Sequence, residues 1–155
     1  MKLSNALRQI ERTNNKNVPF LKHFLRENKR SYGRIKTVPS TINKLNKRYS
    51  KRIGDKAGVT IIEPTRKAVL RRAKKIQKRY RHNKRDIDNY YKNPKDDVYY
   101  GYHVGIKDKE KRRMEVQIKT NKMAELQKKM HSAYKMDRSL KPFREKAKKL
   151  YKKGY

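Results

Sequence analysis

Two acids stand apart in a chain dominated by lysine and arginine: Asp55, at the mouth of an apolar β-branched segment, and Glu115, inside a segment of alternating polarity. Carboxylates at neighbouring strand ends can converge in one cleft and hold Mg2+ there. The plainer use of each is to neutralise nearby lysines, and spacing alone leaves both readings standing. His103 alternates with Tyr99 and Gly101 on one predicted strand face. As a site, this pair offers an imidazole and a ring able to stack on a base; as structure, it is a packed histidine and a tyrosine suited to a sheet. A third group, Arg34, Lys36, Ser40 and Lys44, precedes and enters a predicted helix. Its cations and the helix N-terminal amides would suit a triphosphate, and a solvated basic face is the competing reading.

The elements that must position these residues follow from periodicity. The first third reads as helical: Leu3, Leu7 and Ile10 recur at helical spacing, and Phe20, Leu21, Phe24 and Leu25 form a second stripe. Ser40, after Pro39, is a plausible N-cap for a helix carrying Ile42, Leu45 and Tyr49. Ala57 to Ile62, between Gly54 and Pro64, reads as a buried strand. Thr65 then opens a long helix, to about residue 82, with the apolar line Val69, Ala73, Ile76 and Tyr80. Asp86–Lys92, Val98–Ile106 and Arg113–Thr120 are predicted strands. In the last, Met114, Val116 and Ile118 face one way while Glu115, Gln117 and Lys119 face the other, so one side packs on helices and the other lines something wet. Met123, Leu126, Met130 and Tyr134 mark one closing helix; Phe143, Ala147 and Leu150 mark another. This order predicts an α+β domain with a mixed sheet of four to five strands flanked by helices.

Composition narrows the partners. With 47 basic against 14 acidic residues, the formal charge of the 155 residues is +33. Such a surplus favours polyanions: nucleic acid, nucleotide phosphates or an anionic membrane surface. The absence of cysteine excludes disulfides, thiolate zinc sites and cysteine nucleophiles. No apolar run approaches a membrane span and the start does not read as a signal core, so a single cytoplasmic domain over residues 1–155 is expected.

From Arg34 to Lys135, segments in order resemble the synthetase domain of RelA/SpoT proteins, including the single-domain small alarmone synthetases. Arg34-Ile35-Lys36-Thr37-Val38-Pro39-Ser40, continuing to Lys44, is similar to the family's R-x-K-x-x-x-S-x-x-x-K segment. Asp55-Lys56-Ala57-Gly58-Val59 resembles D-x-x-G-x-R. Asn89 to Lys95, followed by Val98, Tyr99 and His103, resembles D-Y-I-x-x-P-K-x-x-G-Y-x-S-x-H. Glu115-Val116-Gln117-Ile118-Lys119-Thr120 is close to E-[VI]-Q-I-R-T, and His131 to Lys135 resembles H-x-x-Y-K. The chain departs from these patterns at Thr60, where the family has arginine, at Val98 for glycine, at Asn89 for aspartate, and at Tyr100-Gly101-Tyr102 for R-S-L.

The resemblance implies a nucleotidyltransferase-like fold and an ATP-dependent pyrophosphokinase that moves the β,γ-pyrophosphate of ATP to the 3′-hydroxyl of GDP or GTP, giving (p)ppGpp. It implies that Arg34 contacts the adenine of ATP, that Lys36, Ser40 and Lys44 hold its phosphates, and that Asp55 binds Mg2+. Glu115 would bind the metal or act as base, Tyr99 would stack on the acceptor base, and Lys95, His103, Gln117 and Lys119 would hold acceptor or phosphate groups. Some toxic single-domain relatives instead modify the 3′ end of tRNA or use adenine nucleotides, which brings in an antitoxin as a candidate partner; a homo-oligomer is also open. The +33 charge favours the tRNA alternative, along the basic faces of residues 65–82 and 140–153. A non-catalytic basic RNA-binding protein of the same fold is the reading from another class. No hydrolase or regulatory domain is expected beside the synthetase.

Overall fold

A computed structural model describes residues 16–28, 30–35, 57–96, 98–135 and 139–155. Helix α1 (residues 16–27) buries Phe20, Leu21 and Phe24, the stripe expected from sequence. Asn28 closes it, donating from its side-chain amide to the Phe24 carbonyl at 2.9 Å. Arg30, at φ 62°, turns the chain into strand β1 (Ser31–Ile35). The first third is therefore not helical throughout. β1 is short and carries Gly33, so its own sequence gives little strand signal; its partner strand stabilises it. The glycine lets α1 pack closely, since a Cβ there would lie 2.5 Å from Leu21 Cδ1 and that side chain would have to shift.

Strand β2 (Ala57–Glu63) buries Ala57, Val59 and Ile61 and ends one residue beyond expectation, at a Glu63 held by Arg72 at 2.7 Å. Thr65 caps helix α2 (Arg66–Arg79), its hydroxyl accepting from the Ala68 amide. Val69, Ala73 and Ile76 are the buried line of α2, which packs across β2, β4 and β5. α2 stops short of residue 82: Tyr80 is extended, and its ring packs on Phe20 and Phe24. Strand β3 (Arg81–Asn89) thus starts earlier than the expected Asp86 and ends earlier than Lys92. Its first residues, Arg81-His82-Asn83-Lys84-Arg85, have no apolar alternation to announce a strand.

Strand β4 (Tyr102–Lys107) begins later than the expected Val98; before it, Lys95 and Tyr99 form an isolated bridge. Strand β5 (Arg113–Thr120) falls where alternation predicts. Thr120 closes β5 and its hydroxyl accepts from the Met123 amide, opening helix α3 (Asn121–Lys135) without an intervening loop. Helix α4 (Lys141–Lys152) follows, buries Ala147, and returns to α2: the Arg66 amide donates to the Gly154 carbonyl at 2.7 Å. Arg66 also lies over the Tyr151 ring, which stacks on Tyr100.

The sheet has five strands in the order β1-β2-β5-β4-β3. β2 and β5 are parallel and the other pairs antiparallel, so this is the mixed sheet of an α+β fold. One face, with Val59, Ile61, Val104, Ile106, Met114, Val116 and Ile118, forms the core against α1 and α2. α3 borders the other, polar face. Among the described residues, no helix is long and apolar enough to cross a membrane.

Candidate active site

The polar face is organised in rows by register. Glu115 pairs with Gly58 of β2 on one side and with Gly105 of β4 on the other, and Gly58 in turn pairs with Arg34 of β1. Residues opposite one another in a ladder share a face. Glu115 is therefore flanked by two positions without a side chain, in a row that ends at the register position of Arg34. The next row is Tyr32, Thr60, Gln117, His103 and Asp88.

Both oxygens of the Glu115 carboxylate have partners within these rows. His103 Nδ1 lies 3.3 Å from Oε1, and Gln117 Nε2 donates to Oε2 at 3.0 Å. Each of these two residues is held from behind. The Tyr99 hydroxyl is 2.8 Å from His103 Nε2. Lys119 Nζ donates to Gln117 Oε1 at 3.0 Å and to Gln127 Oε1 at 2.6 Å. Lys119 is 4% exposed, unlike its expected polar-face neighbours, and its charge sits 5.4 Å from the centre of the Tyr99 ring. Tyr90 packs edge-on to both Tyr99 and His103.

Beside this network is a cavity of about 220 Å³ lined by Lys95, Tyr99, His103, Gln117, Gln127, Met130 and His131, among others. The sequence-predicted acceptor residues Lys95, Tyr99, His103 and Gln117 thus converge on one groove, and Lys119 stands directly behind it. Tyr99 differs from a free stacking platform: its ring is 5% exposed and its hydroxyl is engaged. Burial, first, and then the neighbouring Tyr91 and Glu115 push the Tyr99 phenol well above its ordinary pKa, so it stays protonated. Tyr90 is also raised, by burial and then by Asp88 and Glu115. Tyr90 and Gln127 were missed as site residues in the sequence. Tyr90 belongs to an aromatic-rich stretch that gives no ranking, and Gln127 reaches Lys119 only because α3 follows β5 directly.

Lys36, Ser40, Lys44 and Asp55 lie outside the described residues, as do the predicted helices around Leu3–Ile10 and Ile42–Tyr49. Arg34 is placed by register beside Gly58. Among the described residues there is no cluster of three or more acids and histidines that could hold a metal. Glu115 supplies one partly exposed carboxylate there. That donor set fits Mg2+, which proteins usually bind through one or two carboxylates together with substrate phosphates.

The family model for the region found in RelA / SpoT proteins matches residues 33–139. No curated sequence matches the chain. Among solved structures, the fold is similar to the small alarmone synthetase 2 from Bacillus subtilis, with a TM-score of 0.67, 20% identity, and coverage of 94% of this chain and 90% of that one. It is also similar to the small alarmone synthetase 1 from the same organism bound to its product pppGpp (TM-score 0.64, 18% identity, 96% and 90% covered). The same synthetase 1 bound to AMPCPP matches with a TM-score of 0.54, 18% identity, and 95% and 88% covered. The chain belongs to the RelA/SpoT family.

Proposed function

We propose that this protein transfers the β,γ-pyrophosphate of ATP to the ribose 3′-hydroxyl of GDP or GTP, making (p)ppGpp. The observation that carries the reading is Glu115, set between two glycine positions with Gln117 donating to one oxygen and His103 3.3 Å from the other, beside a groove lined by Lys95, Tyr99, His103 and Gln117. The pppGpp and AMPCPP complexes of the structurally similar synthetase support a guanine acceptor and an ATP donor.

In this reading the 3′-oxygen attacks the β-phosphorus of ATP in line. The new bond is O3′–Pβ, the bond from Pβ to the α,β-bridging oxygen breaks, and AMP leaves with that electron pair. Glu115 takes the hydroxyl proton, a contribution of about 10²–10⁴-fold for a placed general base. His103 and Gln117 hold its oxygens so that the carboxylate meets the hydroxyl without reorganising. Glu115 and Asp55 would hold Mg2+, which would supply positive charge against the phosphates. Arg34, Lys36, Ser40 and Lys44 bind ATP, and Lys95 at the exposed rim of the groove binds the acceptor's phosphates.

The charge supports a second reading, in which the acceptor is the 3′ end of tRNA. A mononucleotide needs far fewer cations than the +33 this chain carries. The outward faces of α2 and α4 are almost wholly basic, with Lys67, Arg71, Lys74 and Lys78 exposed on the first and Lys141, Arg144, Lys148 and Lys152 on the second. An acidic neutralising protein would bind the same faces. Labelled ATP and Mg2+ offered with GDP, GTP, ADP or total tRNA separates these readings. Label in a guanine nucleotide is expected; label on tRNA alone establishes the second reading; transfer to no acceptor overturns both.

A further inference from the structure

We propose that the ring of Tyr32 is the platform on which the adenine of ATP stacks, which makes Tyr32 a donor-binding residue. The inference rests on the ATP-dependent reading above. It adds a residue of β1 that lies outside the segments resembling the family.

Among the described residues, Tyr32 is the one large apolar side chain left exposed, at 56%. A single exposed ring is ordinary on a protein surface, and it is the position of this one that counts. Tyr32 stands on the polar face, in the row of Thr60, Gln117 and His103 and one row from Glu115. Its ladder partner Thr60 is short. Opposite residues of a ladder have Cβ atoms about 4.5–5.5 Å apart, so a long side chain at 60 would lie against the ring, and Thr60 leaves it uncovered. Tyr32 also lines an open hollow of about 510 Å³ with Arg30, Ile62 and Asn121, among others, so the approach to the ring is open. Its hydroxyl is within electrostatic reach of the site: burial is the main cause that raises the Tyr99 phenol, and Tyr32 is the last of the groups that add to it.

The spacing suits a nucleotide lying across the strands. Tyr32 and Arg34 are two residues apart on β1, so their positions share a face and stand about 6.6–6.8 Å apart. That gap is close to two carbon–carbon contacts of about 3.5 Å, the room a flat base needs between two side chains. A base held there meets the Tyr32 ring on one side and the register position of Arg34 on the other. With β2 between them, β1 and β5 are two strand spacings apart, about 10 Å. This is comparable to the reach from the base of a nucleotide to its β-phosphorus. The adenine can therefore sit at β1 while the reacting phosphorus stands over Glu115. The acceptor groove, with Lys95 and His103, lies on the β4 side of Glu115 and stays free.

Calorimetric titration of the full chain with Mg2+ and α,β-methylene ATP, whose blocked bridge prevents transfer, tests this without an acceptor. Tyr32→Ala should bind the analogue about 10-fold or more weakly than the wild type, the loss expected for one base stack. Tyr32→Phe keeps the ring and should bind as the wild type does. Inorganic tripolyphosphate, which has no base, should bind all three proteins alike, and so should GDP. Wild-type affinity for the analogue in Tyr32→Ala would overturn the proposal. An equal loss of tripolyphosphate would overturn it too, because the damage would then lie in the phosphate site or the fold. A loss of GDP in place of the analogue would give the ring to the acceptor, and a wild type that binds no analogue would leave the ring without its ligand; either result refutes the proposal. The transfer reading fails separately. If label moves to no acceptor that reading is refuted, while a base-specific loss in Tyr32→Ala still puts the adenine on this ring.

Discussion

Glu115 faces Gly105 across the β4–β5 ladder, and the space a side chain at 105 would occupy is already taken by Asp86 of β3, whose Cβ lies 2.9 Å from the position of a Gly105 Cβ. Asp86 reaches that space because the register of β3 against β4 shifts between His82 and Ile87. The glycine beside Glu115 thus admits the irregular edge strand.

Gly105→Ala should therefore be costly for a change of one methyl. The nearest atoms are the Cβ and Cγ of Asp86, close to its backbone and unable to swing aside. Overpacking of this kind costs about 1–3 kcal/mol. Urea unfolding should show a lowered midpoint at constant m-value. An unchanged midpoint would mean that β3 accommodates the methyl by moving.

Tyr91 offers a change in the other direction. Its hydroxyl is buried with no hydrogen-bond partner among the described residues. An unsatisfied buried hydroxyl costs about 1–3 kcal/mol, so Tyr91→Phe should raise stability by about 1 kcal/mol. The ring keeps its packing against Tyr100. Thermal unfolding that shows a loss of stability would reveal a hydroxyl that does have a partner.

Alkaline pH should destabilise the fold through buried phenols. Burial raises Tyr91, and burial and then Glu27 raise Tyr80, above the ordinary value of 10.0. A group whose folded pKa is raised contributes stability that is complete below its unfolded pKa. That stability is lost as pH rises toward the folded value, because the unfolded state then binds fewer protons. Unfolding free energy measured by urea should accordingly be flat with respect to these groups below about pH 9 and fall above pH 10. In Tyr91→Phe the slope should be shallower; an identical slope would remove Tyr91 from the account.

Much of this was legible in sequence where pattern and packing coincide. The alternation of Met114 to Lys119 defined β5 and its wet face because the strand lies between two others with a core on one side. Val69, Ala73 and Ile76 defined α2, and Thr65 capped it as expected. Edge strands were harder to read. β1 carries Gly33 for the sake of Leu21, and the first half of β3 is polar because little packs on it. The candidate site residues were named largely through motif resemblance, which says nothing of their contacts. That Lys119 is buried behind Gln117, and that Tyr99 folds over Gly101 onto His103, depends on the approach of β4, β5 and α3, which no spacing in the chain encodes.

The claim on which the rest depends is that the carboxylate of residue 115 takes part in pyrophosphate transfer. Glu115→Gln keeps the size of the side chain and its place among Gly58, Gly105 and Gln117 while removing the charge. The direct measurement is the rate of label transfer from β,γ-labelled ATP to GDP or GTP by the folded variant, beside the wild type at equal concentration. The account predicts transfer by the wild type and a loss of about 10²–10⁴-fold or more in the variant. A folded Glu115→Gln protein that transfers at the wild-type rate would contradict it.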